Sequence, residues 1–402
     1  MNAIDVTGTA ERYDVPAARR ALLAIFLVSG FVMATWIAYI PIVKERFGLG
    51  DGALGLTLLA VSLGSIGGLL LTGSSIGRFG SRKITSVTTL GLCCALPLVV
   101  LNPLYPFLVA MLMLFGLMLG SMDVAMNAQA VAVETRLDRP VMSTFHALFS
   151  VGGLLGAGSA GLLIWLAISP TIHVIGVALL MAVVGLVSLR SLLPTSVDQT
   201  SSRASFVRPT GPLMTLGIIA FLALISEGAV GDWSAVYLHE GLGTNPGFAA
   251  SGFAVFSLTM TLGRFLGDPL RARMRSERLV RLSGGLAAAG LGIALVVGNP
   301  VAALIGFACV GVGLSNVVPV VFSAAGQTSG IANGAAIAAV ATAGYLGFIV
   351  GPPVIGYVSQ ATSLPLGLGI VVVFLSLIAV LADNVRRTDE TRPSTIVDRR
   401  PR

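Results

Sequence analysis

Residues 194–211 read PTSVDQTSSRASFVRPTG, the longest polar interruption in a chain of 402 residues that is 55% hydrophobic and only 11% charged. Soluble proteins carry about 25% charged residues. A mean hydropathy of +0.91 therefore marks a polytopic membrane protein, and the 49 glycines suit helices that pack closely in lipid. On either side of the polar stretch lie apolar blocks of 173 residues (21–193) and 172 residues (212–383). The expected organisation is a segment 1–20, a six-helix bundle 21–193, a linker 194–211, a second six-helix bundle 212–383 and a tail 384–402.

At about 20 apolar residues per crossing, charged and Pro/Gly-rich breaks divide the blocks into twelve spans. They cover 21–43, 52–76, 84–101, 106–132, 141–168, 172–193, 212–239, 248–270, 279–298, 301–325, 335–360 and 365–383. The first is longer than a cleavable signal core and lacks a small-residue cleavage site. Of the 25 Lys and Arg, 22 fall in the termini, in alternate loops or at the span ends that adjoin those loops (Arg190 and Arg281), two (Lys44 and Arg46) fall on the other face, and Arg264 lies deeper within span 8. The positive-inside rule makes both termini and the linker cytoplasmic, as in a bacterial inner-membrane protein. The net charge of +7 is thus a topology signal and not a nucleic-acid one. Three cysteines, all in apolar runs, show no disulfide framework or metal spacing.

The blocks look duplicated. Trp36 and Trp233 both come late in a first span, eight-residue outer loops follow (44–51 and 240–247), and basic inner loops come next. FSVGGLLGAG (149–158) is echoed by ATAGYLGFIVG (341–351). Duplicated halves are the common architecture of secondary transporters, which bind solute between parts that rock about the site.

GSSIGRFGSRK (73–83) resembles the loop between helices 2 and 3 of the major facilitator superfamily, with Gly73, Arg78, Gly80, Arg82 and Lys83 in place. The loop's usual acid is replaced by Gly77, and the second-half copy, GDPLRARMR (267–275), has only a shifted Asp268. Gly351 and Pro352 in span 11 also match the family pattern. These residues are the gating and interdomain set that the resemblance implies. MNAQAVAVE (126–134), EGAVGDW (227–233) and TAGYLGFIVGPPVIGY (342–357) are most similar to the bacterial YbjJ/MosC-like branch. The resemblance implies an all-α fold of two pseudo-symmetric six-helix bundles and a monomeric transporter embedded in the lipid bilayer. Drug/proton antiporters of the superfamily usually carry a Gly-Pro element in span 5, and SVGGLLGAGSAG (150–161) has no proline.

A charge at mid-bilayer costs at least about 2.5–3.5 kcal/mol, so each intramembrane ionisable residue is a site candidate. In span 4, Gly116, Gly120, Asp123, Asn127 and Glu134 share one stripe at about 100° per residue, expected to face a cavity or span 5. There Ser143, His146, Ser150 and Gly153 make a similar face, so Asp123, Asn127 and His146 could form one polar cluster. In span 7, Glu227 and Asp232 interrupt an apolar run. They lie about 140° apart on a regular helix, unless Gly228 and Gly231 break it. Proton coupling is assigned to Glu227, Asp123 and His146. Substrate contact is assigned to Asn127, Glu227, Asp232, Trp36, Tyr39, Trp233 and Asn316, although Trp36, Tyr39 and Trp233 also suit an interfacial belt. Arg264 and Asp268, four residues apart, read as a local salt bridge.

With acids inside the spans and no cation except Arg264 near a helix end, the solute is expected to be neutral and polar, or cationic; an anion would want a buried counter-charge. No GxxxxGK[ST] loop occurs, and neither a cofactor, a resident metal nor a catalytic constellation is expected. The expected energy source is the proton gradient, since protonation removes the charge that opposes movement through a low-dielectric gate. Symport of a sugar, polyol or amine leads; a proton-coupled exporter is the alternative, and a membrane receptor without transport is a remoter one.

Overall fold

The structure is a computed structural model, and it describes residues 14–137, 141–194, 211–326 and 333–385. Its elements are helices: α1 (Val15–Arg46), α2 (Asp51–Phe79), α3 (Ser81–Val100), α4 (Tyr105–Leu137), α5 (Met142–Trp165) and α6 (Pro170–Leu189) precede the linker. After it come α7 (Pro212–Val236), α8 (Pro246–Ala249), α9 (Ser251–Phe265), α10 (Gly267–Arg273), α11 (Ser276–Val297), α12 (Pro300–Leu314), α13 (Val317–Gly326), α14 (Asn333–Ala361) and α15 (Leu364–Leu381). Twelve helical stretches among the described residues are long and apolar enough to cross a membrane, and they match the twelve expected spans in order. Linker residues 195–210 lie outside the described residues.

Local chemistry sets the boundaries. Proline opens α6, α7, α8 and α12, where its missing N–H is one that a first helical turn leaves unpaired anyway. Asn245 and Asn299 cap α8 and α12, their side-chain oxygens accepting from Phe248 N and Ala302 N, each at 2.8 Å. Span 8 is interrupted at Ala250 and again at Leu266, and span 10 at Ser315–Asn316; hydropathy alone did not show these breaks.

Large apolar side chains on the outside, such as Val296 at 88% exposed and Leu70 at 71%, form a surface that only lipid satisfies. The described residues gather into two compact units. The first comprises the described parts of Met1–Trp36, Ala60–Gly156 and Ile168–Ser201, and the second those of Ile37–Leu59, Ala157–Ala167 and Ser202–Arg402.

Within the first unit, glycines set the helix spacing. Gly64 faces the Met113 carbonyl, while Gly116 and Gly120 face those of Val61 and Ser65, so α2 and α4 touch backbone to backbone. The glycines of the span 4 stripe therefore pack on α2, not on a cavity or on span 5. Glu134, from the same stripe, accepts from Val141 N at 2.7 Å and Met142 N at 2.9 Å, capping α5. Fully buried Gln129 on α4 donates to Ser81 Oγ at 2.6 Å and to the Leu193 carbonyl at 3.0 Å, and accepts from Leu193 N at 3.0 Å. One amide thus fixes the start of α3 and the segment after α6.

Candidate functional site

α7 is regular α-helix through both of its acids and changes to a π-helical turn only at Tyr237–Gly241. Gly228 and Gly231 do not unwind it. Gly228 instead leaves room for the Phe348 ring of α14. Glu227 and Asp232 therefore stay about 140° apart and meet different neighbours.

Both carboxylates are half-buried, deep inside the protein yet partly open to water. Arg264, in the last turn of α9, is placed in the same way, and its charge attracts that of Glu227. The cation read as a local partner of Asp268 thus also acts on the charge of an acid on another helix; the Asp268 side chain lies outside the described residues. Among the described residues, the Asp232 carboxylate makes no hydrogen bond or ion pair. One acid is thus offset by a cation, and the other stands half-buried without one.

Asn316 supports the Arg264 segment. It is buried, and its Nδ2 donates to the Gly263 carbonyl at 3.0 Å and to Ser315 Oγ at 2.9 Å, while its Oδ1 fills the space a side chain at Gly267 would need. The break between α12 and α13 is what brings this amide against the end of α9. Trp233 and Tyr39 are fully buried, and Trp36 nearly so, so these aromatics are interior residues and not an interfacial belt. Trp233 Nε1, Ser234 Oγ and Tyr237 Oη are buried without a hydrogen-bond partner among the described residues.

In the first unit, Asn127 Nδ2 donates to the Asp123 carbonyl at 2.8 Å and to Asp123 Oδ1 at 3.0 Å. Both are half-buried. His146 on α5 lies edge-on to Phe26 of α1, with ring centroids 5.4 Å apart, and is half-buried. Asp123 and Asn127 are thus brought together, and His146 is set on the α1–α5 seam.

The loop that carries the family resemblance is a one-residue turn. Gly80, between α2 and α3, has φ of +80°, a left-handed conformation that only glycine adopts without strain. Arg82 Nη2 donates to the Arg190 carbonyl at the end of α6 at 3.1 Å. Arg78 and Lys83 flank the Phe79 ring, 5.2 and 5.5 Å from its centroid. Gly73 has open space about it. Gly351 lets α14 approach Ile225 of α7, and the Pro352 carbonyl meets Gly55 of α2.

A second polar cluster was not anticipated. Lys44, at the end of α1, is buried and pairs with Asp51 at 2.7 Å and with Glu240 in the π-turn beyond α7. His239 Nε2 contacts Glu45 Oε1 at 2.7 Å, and its Nδ1 contacts the Thr244 carbonyl at 2.5 Å. His239 is therefore held in a network. The available signal was the matched pair of loops at 44–51 and 240–247, with Lys44 in one and Glu240 at the corresponding place in the other. On the same side, Gly52 N donates to Gln360 Oε1 at 2.8 Å, tying α2 to α14.

The sequence profile of the Major Facilitator Superfamily matches residues 21–352. The chain belongs to this superfamily and is a multi-pass membrane transporter. It is 39% identical over 363 residues to an uncharacterized MFS-type transporter of Yersinia pestis, covering 90% of this chain and 94% of that one. It is 31% identical over 360 residues to the membrane protein MosC of Rhizobium meliloti, covering 89% and 86%. Among solved structures it resembles the nucleoside transporter NupG, with a TM-score of 0.70 at 11% identity over 92% of this chain and 99% of that one. The fucose:proton symporter FucP of E. coli gives a TM-score of 0.62 at 16% identity over 93% and 99%. At these identities the solved structures speak for the fold alone.

Proposed function

We propose that the chain is a proton-coupled symporter that carries a small polar solute, neutral or cationic, across the bacterial inner membrane. Both termini are cytoplasmic in this reading, and two six-helix halves (21–193 and 212–383) alternate access to the solute without a cofactor. The observation that carries it is the charge arrangement on α7: Glu227 offset by Arg264, and Asp232 half-buried with no partner among the described residues.

An ionised carboxylate in a low-dielectric interior resists any movement that strips it of water. A proton or a bound cationic group removes that resistance, so occupancy can license the conformational change. Arg264 answers Glu227 and leaves no excess cation for an anionic solute, which is why a neutral or positive solute is favoured. FucP, named as a fucose:proton symporter, shares the fold, which makes this coupling chemically reasonable for the scaffold. The buried, unpartnered Trp233 Nε1 one residue from Asp232 is a donor that a polar solute could satisfy once the site opens.

The test is uptake into proteoliposomes under an imposed proton gradient, with sugars, polyols and amines first screened by thermal stabilisation of the purified protein. Accumulation that collapses with a protonophore is expected, as is its loss in Asp232→Asn and Glu227→Gln. Gradient-independent exchange, or accumulation that survives both substitutions, would overturn the reading.

A further inference from the structure

The turn between α2 and α3 stands beside a second surface feature. A cavity of about 230 Å³ lies beside it, lined by Leu71, Thr72, Ser75 and Phe79 of α2, Lys83, Ile84, Val87 and Thr88 of α3, and Ser121 of α4. Leu71, Phe79 and Val87 are also exposed, so the cavity is a groove open at the surface of this unit. Arg78 and Lys83 stand on either side of the Phe79 ring, with Lys83 itself lining the groove.

The electrostatics of this end are unbalanced. α3 begins at Ser81 with no side-chain cap and no acid in its first turn, while Arg82 and Lys83 occupy that turn. A helix N-terminus carries the positive end of the dipole and unpaired N–H groups, so two cations there are opposed by the helix itself. Arg82 is taken up by the Arg190 carbonyl. Among the described residues, neither Arg78 nor Lys83 meets a carboxylate, and Gly77 adds none. The site thus joins two cations without a carboxylate among the described residues to an apolar groove.

We infer that the groove between α2 and α3 binds an anionic phospholipid of the cytoplasmic leaflet. The phosphate pairs with Lys83 and Arg78 at the α3 N-terminus, and one acyl chain lies along Phe79, Leu71 and Val87. A soluble anion would use the cations and leave the apolar wall bare; a zwitterionic lipid would fill the wall and bring its own cation against Lys83. Only an anionic lipid satisfies both parts, and basic residues at a membrane surface favour such lipids by about 1 kcal/mol each. The proposal does not depend on which solute is carried.

The experiment is lipid titration of the purified full-length protein in detergent, read by native mass spectrometry. The probes are dioleoyl phosphatidylglycerol, dioleoyl phosphatidylcholine and tail-less glycerol phosphate. Phosphatidylglycerol is expected to bind in preference to both. The Arg78→Gln/Lys83→Gln double variant should weaken it on the order of tenfold or more. Val87→Trp, a change on an exposed position that fills the groove, should weaken it with the cations intact. Equal binding of the two lipids, unchanged binding in both variants, or glycerol phosphate binding as tightly as phosphatidylglycerol would overturn the proposal.

Discussion

The charges of Arg264 on α9 and Glu227 on α7 act on one another, although 36 residues of chain separate the two positions. Removing one member of an interior charge pair leaves the other uncompensated and destabilises the protein, whereas removing both is close to neutral. Glu227→Gln and Arg264→Gln should each lower the melting temperature of the purified protein. The double variant should recover most of the loss without recovering gradient-driven uptake. Additive losses in the double variant would show that the charges do not act on one another.

The Lys44 bridge to Asp51 and Glu240 should hold shut the side that the positive-inside count makes external. Lys44→Met removes the cation and leaves two carboxylates side by side, which favours separation of α1 and α2 from the end of α7. The measurement is labelling of a cysteine at Tyr39 by a membrane-impermeant maleimide, with Cys93, Cys94 and Cys309 replaced by Ala. Lys44→Met should speed labelling several-fold; an unchanged rate would mean that the bridge is not a latch.

His239 makes the same cluster pH-sensitive. Its contact with Glu45 is an ion pair when the ring carries a proton and a neutral hydrogen bond otherwise. The charged groups around it are Glu45 and Glu240, with Lys44 and Asp51 beyond, so a proton on His239 offsets an acidic excess. Protonation therefore tightens closure: labelling at Tyr39 should slow as external pH falls through the imidazole range and quicken as it rises. His239→Gln should flatten that dependence. A pH profile identical in His239→Gln would assign the effect to another group.

Gln129→Leu should destabilise the protein by about 1–3 kcal/mol for each buried group left unpaired, since Ser81 Oγ and both backbone groups of Leu193 depend on that one amide. Thermal melting checks this. Gln129→Glu loses the two donated bonds and adds a buried charge, so it should melt lower still.

By itself the sequence determined the membrane class, the twelve crossings and their order, because burial in lipid demands long apolar runs and each run ends at a residue that lipid or the helix rejects. It also singled out Glu227, Asp232 and Asp123 as site candidates, because an acid in an oily run is costly, and the pairing of Asp123 with Asn127 follows from their four-residue spacing on one helix. The tertiary structure decided which charges meet. Arg264 answers Glu227, Lys44 answers Glu240, and Gln129 holds Leu193, contacts that depend on how separate helices pack and leave no local spacing to read. It also decided that α7 stays regular past Gly228 and Gly231, where the glycine nearest Glu227 serves the approach of Phe348 and not an unwinding. A glycine looks the same in a sequence whether it bends its own helix or makes room for another.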